Sequence, residues 1–272
     1  MIPDIGHLMN RIDRCFRDLR AVRGKALIPF ITAGDPDLPT TRELAWAFGE
    51  AGADLLELGV PFSDPLADGT TIQRASQRAL ENGVTLKGVI GLVEQIRARS
   101  PIPIVLMSYI NPILRMGAHE FATRAGNAGV DGIIVPDLPP EEAQQLQGHC
   151  TAAQVHTIFL AAPTSTEGRL RRIAEVSQGY IYYVALKGVT GARESVQFGL
   201  EASLARLRRL TDKPIAVGFG ISTAAQVSQV AALADGVIVG SAIVDRIEQR
   251  GRGPGLVEDV AAFVRALKQA TG

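Results

Sequence analysis

The sequence predicts a (β/α)8 barrel with one extra helix ahead of the first strand. Three observations carry that expectation. Eight short apolar runs recur along the 272 residues. Each is almost continuously apolar, as a parallel strand covered on both faces must be. Helix-like stretches separate them, and a barrel of this kind takes about 250 residues. The rival, a doubly wound open sheet, calls for a GxGxxG turn after the first strand, where this chain reads ITAGDPD. No Ser/Gly linker or shift in composition divides the chain, so residues 1–272 are expected to form a single domain.

The elements follow in order. Leu8, Ile12, Cys15, Phe16, Leu19 and Val22 recur at spacings of three and four and build one apolar stripe, which predicts the leading helix. ALIPFIT (26–32) is the first strand. PTTRELAWAFGEAG (39–52) is the helix after it, with Thr40 and Glu43 spaced as a capping box. DLLELGV (54–60), PIVLMSY (103–109), GIIVPD (132–137) and TIFLAAP (157–163) are strands two to five. YIYYVAL (180–186), PIAVGFG (214–220) and GVIVGSA (236–242) complete the eight. Between them, residues 85–100, 167–178 and 200–210 have helical spacing, and a last helix runs through Leu256, Val260, Val264 and Leu267. Thr164 with Glu167 offers a second capping box, and Ser222 an N-cap before residues 223–233.

Bulk properties exclude several classes of function. Basic and acidic residues balance at 28 each, which gives no reason to expect nucleic acid or a membrane surface as partner. Two cysteines without a CxxC, and four histidines without ligand spacing, predict neither a disulfide framework nor a metal site. No signal peptide is evident, and no apolar run approaches the roughly 20 residues of a membrane helix, so a cytoplasmic protein is expected.

In such barrels the chemistry sits at the C-terminal ends of the strands. The second strand ends in Glu57, flanked by Leu56 and Leu58. Burial of that carboxylate raises its pKa and suits it to give and take protons near neutrality; the alternative is a cap on a neighbouring amide. Asp64 and Asp68 lie in the Pro- and Gly-rich loop that follows, either as turn formers or as groups facing the catalytic end. The seventh and eighth strands end in GFGIS (218–222) and VGSAI (239–243). Glycine there admits a phosphate to backbone amides at a helix start. The loop after the sixth strand, with Gly188 and Gly191, has the composition of a lid, and Gly191 offers one more amide. Phe30, Tyr109, Tyr182 and Phe219 fall in or at the ends of separate strands, where they either line a pocket for a flat substrate or simply pack. Asp137 is either a strand-end polar group or the cap of a helix near Pro140.

Elimination narrows the chemistry. A Schiff-base aldolase needs a strand-end lysine. Only Lys187 is near one, and if Tyr182 points inward, alternation turns Lys187 outward. The strand ends lack histidine, so ligands for a metal-dependent aldolase are missing. Metal-free acid/base chemistry on a phosphorylated substrate remains, with Glu57 as the principal proton carrier.

PFITAGDPD, LELGVPFSDPLADGTTIQ, MSYINPI, VPDLPPEE, GVTGAR and GFGIS, in this order, closely resemble the tryptophan synthase alpha subunit family over nearly the whole chain. The resemblance implies a (β/α)8 barrel that cleaves indole-3-glycerol phosphate to indole and glyceraldehyde 3-phosphate without metal or organic cofactor. It implies Glu57 and Asp68 as the catalytic pair. Glu57 would shuttle protons at indole C3 and at the glycerol hydroxyl nearest the ring; Asp68 would accept the indole N–H bond. It places Tyr182 beside Glu57, and Phe30, Tyr109 and Phe219 around the indole. It places Thr190 in the loop over the substrate, and Gly191, Gly220, Gly240 and Ser241 at the phosphate. Pro61, Asp64 and Pro65 would meet a beta subunit carrying pyridoxal phosphate, in an alpha2beta2 heterotetramer. The chain departs from the common family pattern at Ala185, Leu186 and Lys187, where many members carry serine and often arginine. Two alternatives stand beside this expectation: a stand-alone lyase releasing free indole, and a non-catalytic activator of a beta subunit.

Overall fold

All strands of the computed structural model run parallel to their neighbours. The structure describes residues 9–185, 193–218 and 220–272, with residues 193–198 described by backbone alone. The first half holds α1 (Arg11–Ala21), β1 (Ala26–Thr32), α2 (Leu38–Glu50), β2 (Leu56–Gly59), α3 (Thr70–Glu81), α4 (Leu86–Arg97), β3 (Ile104–Met107), α5 (Ile110–Met116), α6 (Ala118–Ala128) and β4 (Gly132–Ile134). The second half holds α7 (Gln144–Ala152), β5 (His156–Ile158), β6 (Leu160–Ala161), α8 (Glu167–Val176), β7 (Ile181–Val184), α9 (Arg193–Arg208), β8 (Ile215–Gly218), α10 (Ala224–Ala231), β9 (Gly236–Val239), α11 (Ser241–Arg250) and α12 (Leu256–Gln269).

The sheet order is β5-β4-β3-β2-β1-β9-β8-β7-β6. The expected fifth strand is interrupted at Phe159 into β5, which pairs with β4, and β6, which pairs with β7. The chain itself thus joins the two ends of the sheet, and the nine segments trace the eight-stranded barrel. Strand alternation sorts the side chains into two layers. Leu27, Ile31, Leu56, Leu58 and Leu106 pack outward with apolar residues of α2 and α4. Ile28, Leu55, Val105, Tyr180, Tyr182 and Ile238 pack inside the barrel. Phe30, Glu57 and Val105 are in register across β1, β2 and β3, so Glu57 belongs to the inner layer.

Helix α1 closes the N-terminal end of the barrel. Asn10 caps it by accepting from the Ile12 amide at 2.9 Å, and its Nδ2 donates to the Asp131 and Gln154 carbonyls at 3.0 Å. Ile12 and Phe16 are buried in the inner cluster, with Cys15 and Leu19 half-buried beside them. Val22 does not continue the stripe: it follows the last turn of the helix and is 75% exposed. Leu8 lies outside the described residues.

The helix starts differ by one to three residues from those expected. Pro39 stands in the first turn of α2, where a missing amide costs nothing, so the helix begins ahead of Thr40. Asp37 is the cap, and it accepts from the Thr40 amide at 2.7 Å. Thr166 rather than Thr164 caps α8, and Thr223 rather than Ser222 caps α10 in a capping box with Gln226. In each case the capping residue has extended backbone dihedrals. Asp137 is the strand-end polar group, accepting from the Ile110 amide at 3.0 Å at the start of α5.

Candidate active site

Glu57 is fully buried, the second of the four residues of β2. The Tyr180 hydroxyl donates to its Oε1 at 2.7 Å, while its Oε2 has no hydrogen-bond partner among the described residues. Burial pushes its pKa up to about 8, and the Tyr180 bond pulls the other way. Tyr180 is itself buried, and its ring lies 5.6 Å from that of Phe16 on α1. The floor of the barrel thus braces the tyrosine that holds the carboxyl.

The strand motif YIYY contained this signal. Tyr180 and Tyr182 share parity and both face inward, yet sequence reasoning selected only Tyr182. Tyr182 is nearly buried, and the negative charges of Glu57 and Asp68 both add to the upward shift that burial gives its hydroxyl. Its ring needs Gly218: a Cβ there would lie 2.5 Å from the Tyr182 hydroxyl oxygen. Phe30 depends on a glycine in the same way, since a Cβ on Gly59 would meet its ring at 2.6 Å.

Asp68 is half-buried in the loop between β2 and α3. Burial raises its pKa to about 6, against the lowering effect of a hydrogen bond with Tyr109. Tyr109, buried at the end of β3, also accepts from the Ala67 amide at 2.9 Å and stacks on Phe62 with centroids 5.1 Å apart. It therefore clasps the loop that carries Asp68. Its neighbours in the loop differ in exposure. Pro61 is buried at the base, Pro65 is half-buried, and Asp64 is exposed and accepts from Ser63 at 2.5 Å. Leu66 at the tip is 94% exposed.

At the other side of the mouth, Gly240 precedes α11, whose start has no side-chain cap. The amides of Ile243 and Val244 bond back to the Gly240 carbonyl at 2.8 and 3.0 Å, and Ser241 is half-buried at the first helical position. Gly220, at φ +75°, follows β8. These loops come after β8 and β9, the seventh and eighth strands of the barrel. Thr190, Gly191 and Phe219 lie outside the described residues, as do Leu186 and Lys187. A cleft of about 370 Å³ lined by Trp46, Arg99 and Pro101 precedes β2 and β3 and so opens at the opposite end of the barrel.

Tyr180 gives a direct test of this electrostatic reading. Tyr180→Phe removes a hydrogen bond to a charged group, on the order of one pH unit in the acid it holds. A catalytic Glu57 would set the alkaline limb of kcat/KM against pH through loss of its proton, and that limb is then expected to move upward by about that much. An unmoved limb would show that Glu57 does not govern it.

The comparisons with known proteins agree with one another. Residues 16–272 match the family model described as tryptophan synthase alpha chain. The tryptophan synthase alpha chain of Geobacter sulfurreducens is 50% identical over 264 residues, covering 97% of this chain and 100% of that protein. That of Burkholderia pseudomallei is 49% identical over 263 residues, with 96% and 97% covered. Tryptophan synthase subunit alpha from Legionella pneumophila superposes with a TM-score of 0.90 at 39% identity, covering 97% of this chain and 99% of that one. A chain of Mycobacterium tuberculosis tryptophan synthase superposes at 0.86 with 38% identity over 96% and 98%. Full-length similarity of sequence and of fold, over a barrel with two perturbed carboxyls at its mouth, has one conclusion: the chain belongs to the tryptophan synthase alpha chain family.

Proposed function

We propose that Glu57 and Asp68 divide the proton chemistry of indole-3-glycerol phosphate cleavage between them. The observation that carries this reading is the separation of their pKa values, about 8 for Glu57 and about 6 for Asp68. At neutral pH the first is mostly protonated and the second mostly ionised, so Glu57 brings the proton to be given and Asp68 the negative charge that accepts the indole N–H.

The steps follow. The Glu57 proton passes to indole C3, and the ring becomes an indolenine-type cation. Ionised Asp68 accepts the indole N–H bond and offsets that charge. Glu57, now a carboxylate in an apolar pocket with Oε2 free of partners among the described residues, is a strong base. It takes the proton of the glycerol hydroxyl next to the ring. The bond between C3 and the glycerol carbon breaks, its electron pair returns to the ring, and the hydroxyl carbon becomes the aldehyde. One proton is given and one recovered, so atoms and charge balance with no oxidant.

Tyr182 and Phe30 supply walls for the indole, each seated against a glycine of a neighbouring strand. The uncapped start of α11, with Gly240 and Ser241, suits the phosphate, because the helix dipole and free amides favour an anion. From the family resemblance, Gly191 and Gly220 join them at the phosphate, Phe219 and Tyr109 line the indole pocket, and Thr190 belongs to the loop over the substrate. The exposed Leu66, beside Asp64 and Pro65, supports a docking loop for the beta subunit, in an alpha2beta2 assembly whose pyridoxal phosphate belongs to beta. Among the described residues no helix is long and apolar enough to cross a membrane, and we assign the protein to the cytoplasm.

The test is indole release from indole-3-glycerol phosphate by the purified chain, alone and with beta subunit. Release that rises when beta is added supports the reading; none in either case ends it. Rapid release that beta leaves unchanged would favour a stand-alone lyase. In the same assay Asp68→Asn is expected to lose on the order of 10²-fold in kcat, the cost of removing one preorganised electrostatic partner of the transition state. A rate within a few-fold of wild type would remove Asp68 from the mechanism.

A further inference from the structure

The loop bearing Asp68 runs straight into α3, and the proposed phosphate site is the start of α11. These two helices pack side by side, and a row of polar contacts runs along their seam. The Thr71 hydroxyl donates to Asp245 Oδ1 at 2.9 Å. Arg74 reaches Asp245 at 3.5 Å and Glu248 at 2.7 Å. Arg78 reaches Glu248 at 2.7 Å and grips the buried Asp35 with two bonds of 2.8 Å. Under this row, Ile72 and Ala75 of α3 meet Val244 of α11 on the ring of Phe30. The seam is therefore continuous with the pocket wall.

Its polar part is unevenly anchored. At the far end, Arg78 is held bidentate to a buried carboxylate, which fixes geometry as well as energy. At the near end, the link is the Thr71 hydroxyl on Asp245, with the exposed Arg74 on the same oxygen at 3.5 Å. Thr71 stands three residues after Asp68, and Asp245 four residues after Ser241. Any turn or shift of α11 on taking an anion at its first amides passes through Asp245 to the first turn of α3.

We infer that Thr71 and Asp245 are positioning residues, through which an anion at the start of α11 sets the placement of Asp68 for the indole. The inference rests on the reading of the two subsites given above. It makes their occupancy cooperative, and such coupling is reciprocal and typically 5- to 150-fold.

Calorimetric titration measures it, with indole as one probe and glycerol 3-phosphate, which cannot react with indole, as the other. For the wild type, saturating glycerol 3-phosphate is expected to tighten indole binding at least about fivefold. In Thr71→Val that ratio falls to near one, while glycerol 3-phosphate alone binds within about twofold of wild type. Thr71→Ser keeps the hydroxyl and keeps the wild-type ratio, a rescue that a purely packing role would not show. Asp245→Ala cuts the same bond from α11 and repeats the loss if the valine variant does not fold. A wild-type ratio in Thr71→Val and Asp245→Ala overturns the inference, and so does a ratio of one in a wild type that turns over substrate. A wild type that neither turns over nor binds glycerol 3-phosphate overturns the reading of the subsites, and the inference with it.

Discussion

Glu57→Gln is expected to lower kcat for indole release by about 10² to 10⁴, the range that a positioned acid/base group supplies. The carboxamide fills the same volume and still accepts from the Tyr180 hydroxyl, so the pocket keeps its shape. What disappears is the exchangeable proton and the base it leaves behind. In the proposed scheme Glu57 acts twice, once on C3 and once on the hydroxyl, so its loss would not be repaired by a substrate already protonated at either place. Substrate binding depends on the phosphate and the indole walls and should change by less than tenfold in KM. A variant with near-normal kcat would assign the proton to another group.

The same substitution is expected to stabilise the protein, by an amount that grows with pH. The pKa of Glu57 rises from 4.5 to about 8 on folding. Between those values the folded chain holds a proton that the unfolded chain releases. Stability linked to the neutral carboxyl is therefore fully present below about pH 4.5 and is lost as pH rises through about 8. Glutamine does not titrate and escapes that loss. Near pH 5 the two proteins should unfold almost together. By pH 8.5 the variant should lead by up to a few kcal/mol, or several degrees in Tm for a chain of this size. Thermal melts of both proteins across that range decide it. A constant difference would mean that Glu57 keeps an ordinary pKa in the folded state. The proposed proton carrier is thus a local cost to the fold, and activity and stability are expected to part company at one side chain.

Much of this was legible in the residues. Continuous apolar runs gave the strands, because a strand buried on both faces leaves no room for polar alternation. The fifth was read whole, because nothing in TIFLAAP marks the break at Phe159 that lets the chain close its own sheet. Glu57 stood out as a lone carboxylate between Leu56 and Leu58. Tyr180 did not stand out, since a tyrosine at the start of a buried run is ordinary and its partner lies 123 positions away. Caps were misread for a local reason: several hydroxyls and carboxylates crowd each helix start, and the backbone dihedrals choose among them. The sequence offers Tyr109 as a pocket wall, and the structure shows that it also clasps the Asp68 loop through a backbone amide that the sequence does not display.

The helix across the barrel floor bears on the fate of individual hydrogens. With Ile12 and Phe16 filling the N-terminal end, the described residues leave the mouth, where the proposed substrate would sit, as the way from Glu57 to bulk water. In the synthetic direction of the proposed scheme, Glu57 gives its proton to the aldehyde oxygen as the carbon–carbon bond forms and then lifts the deuteron from C3, so the label stays on Glu57 while the product fills the mouth. Washout of label into solvent then reports how long the mouth stands open rather than how fast bonds are made. The plug at one end of the barrel turns the occupant at the other end into the gate for isotopic exchange.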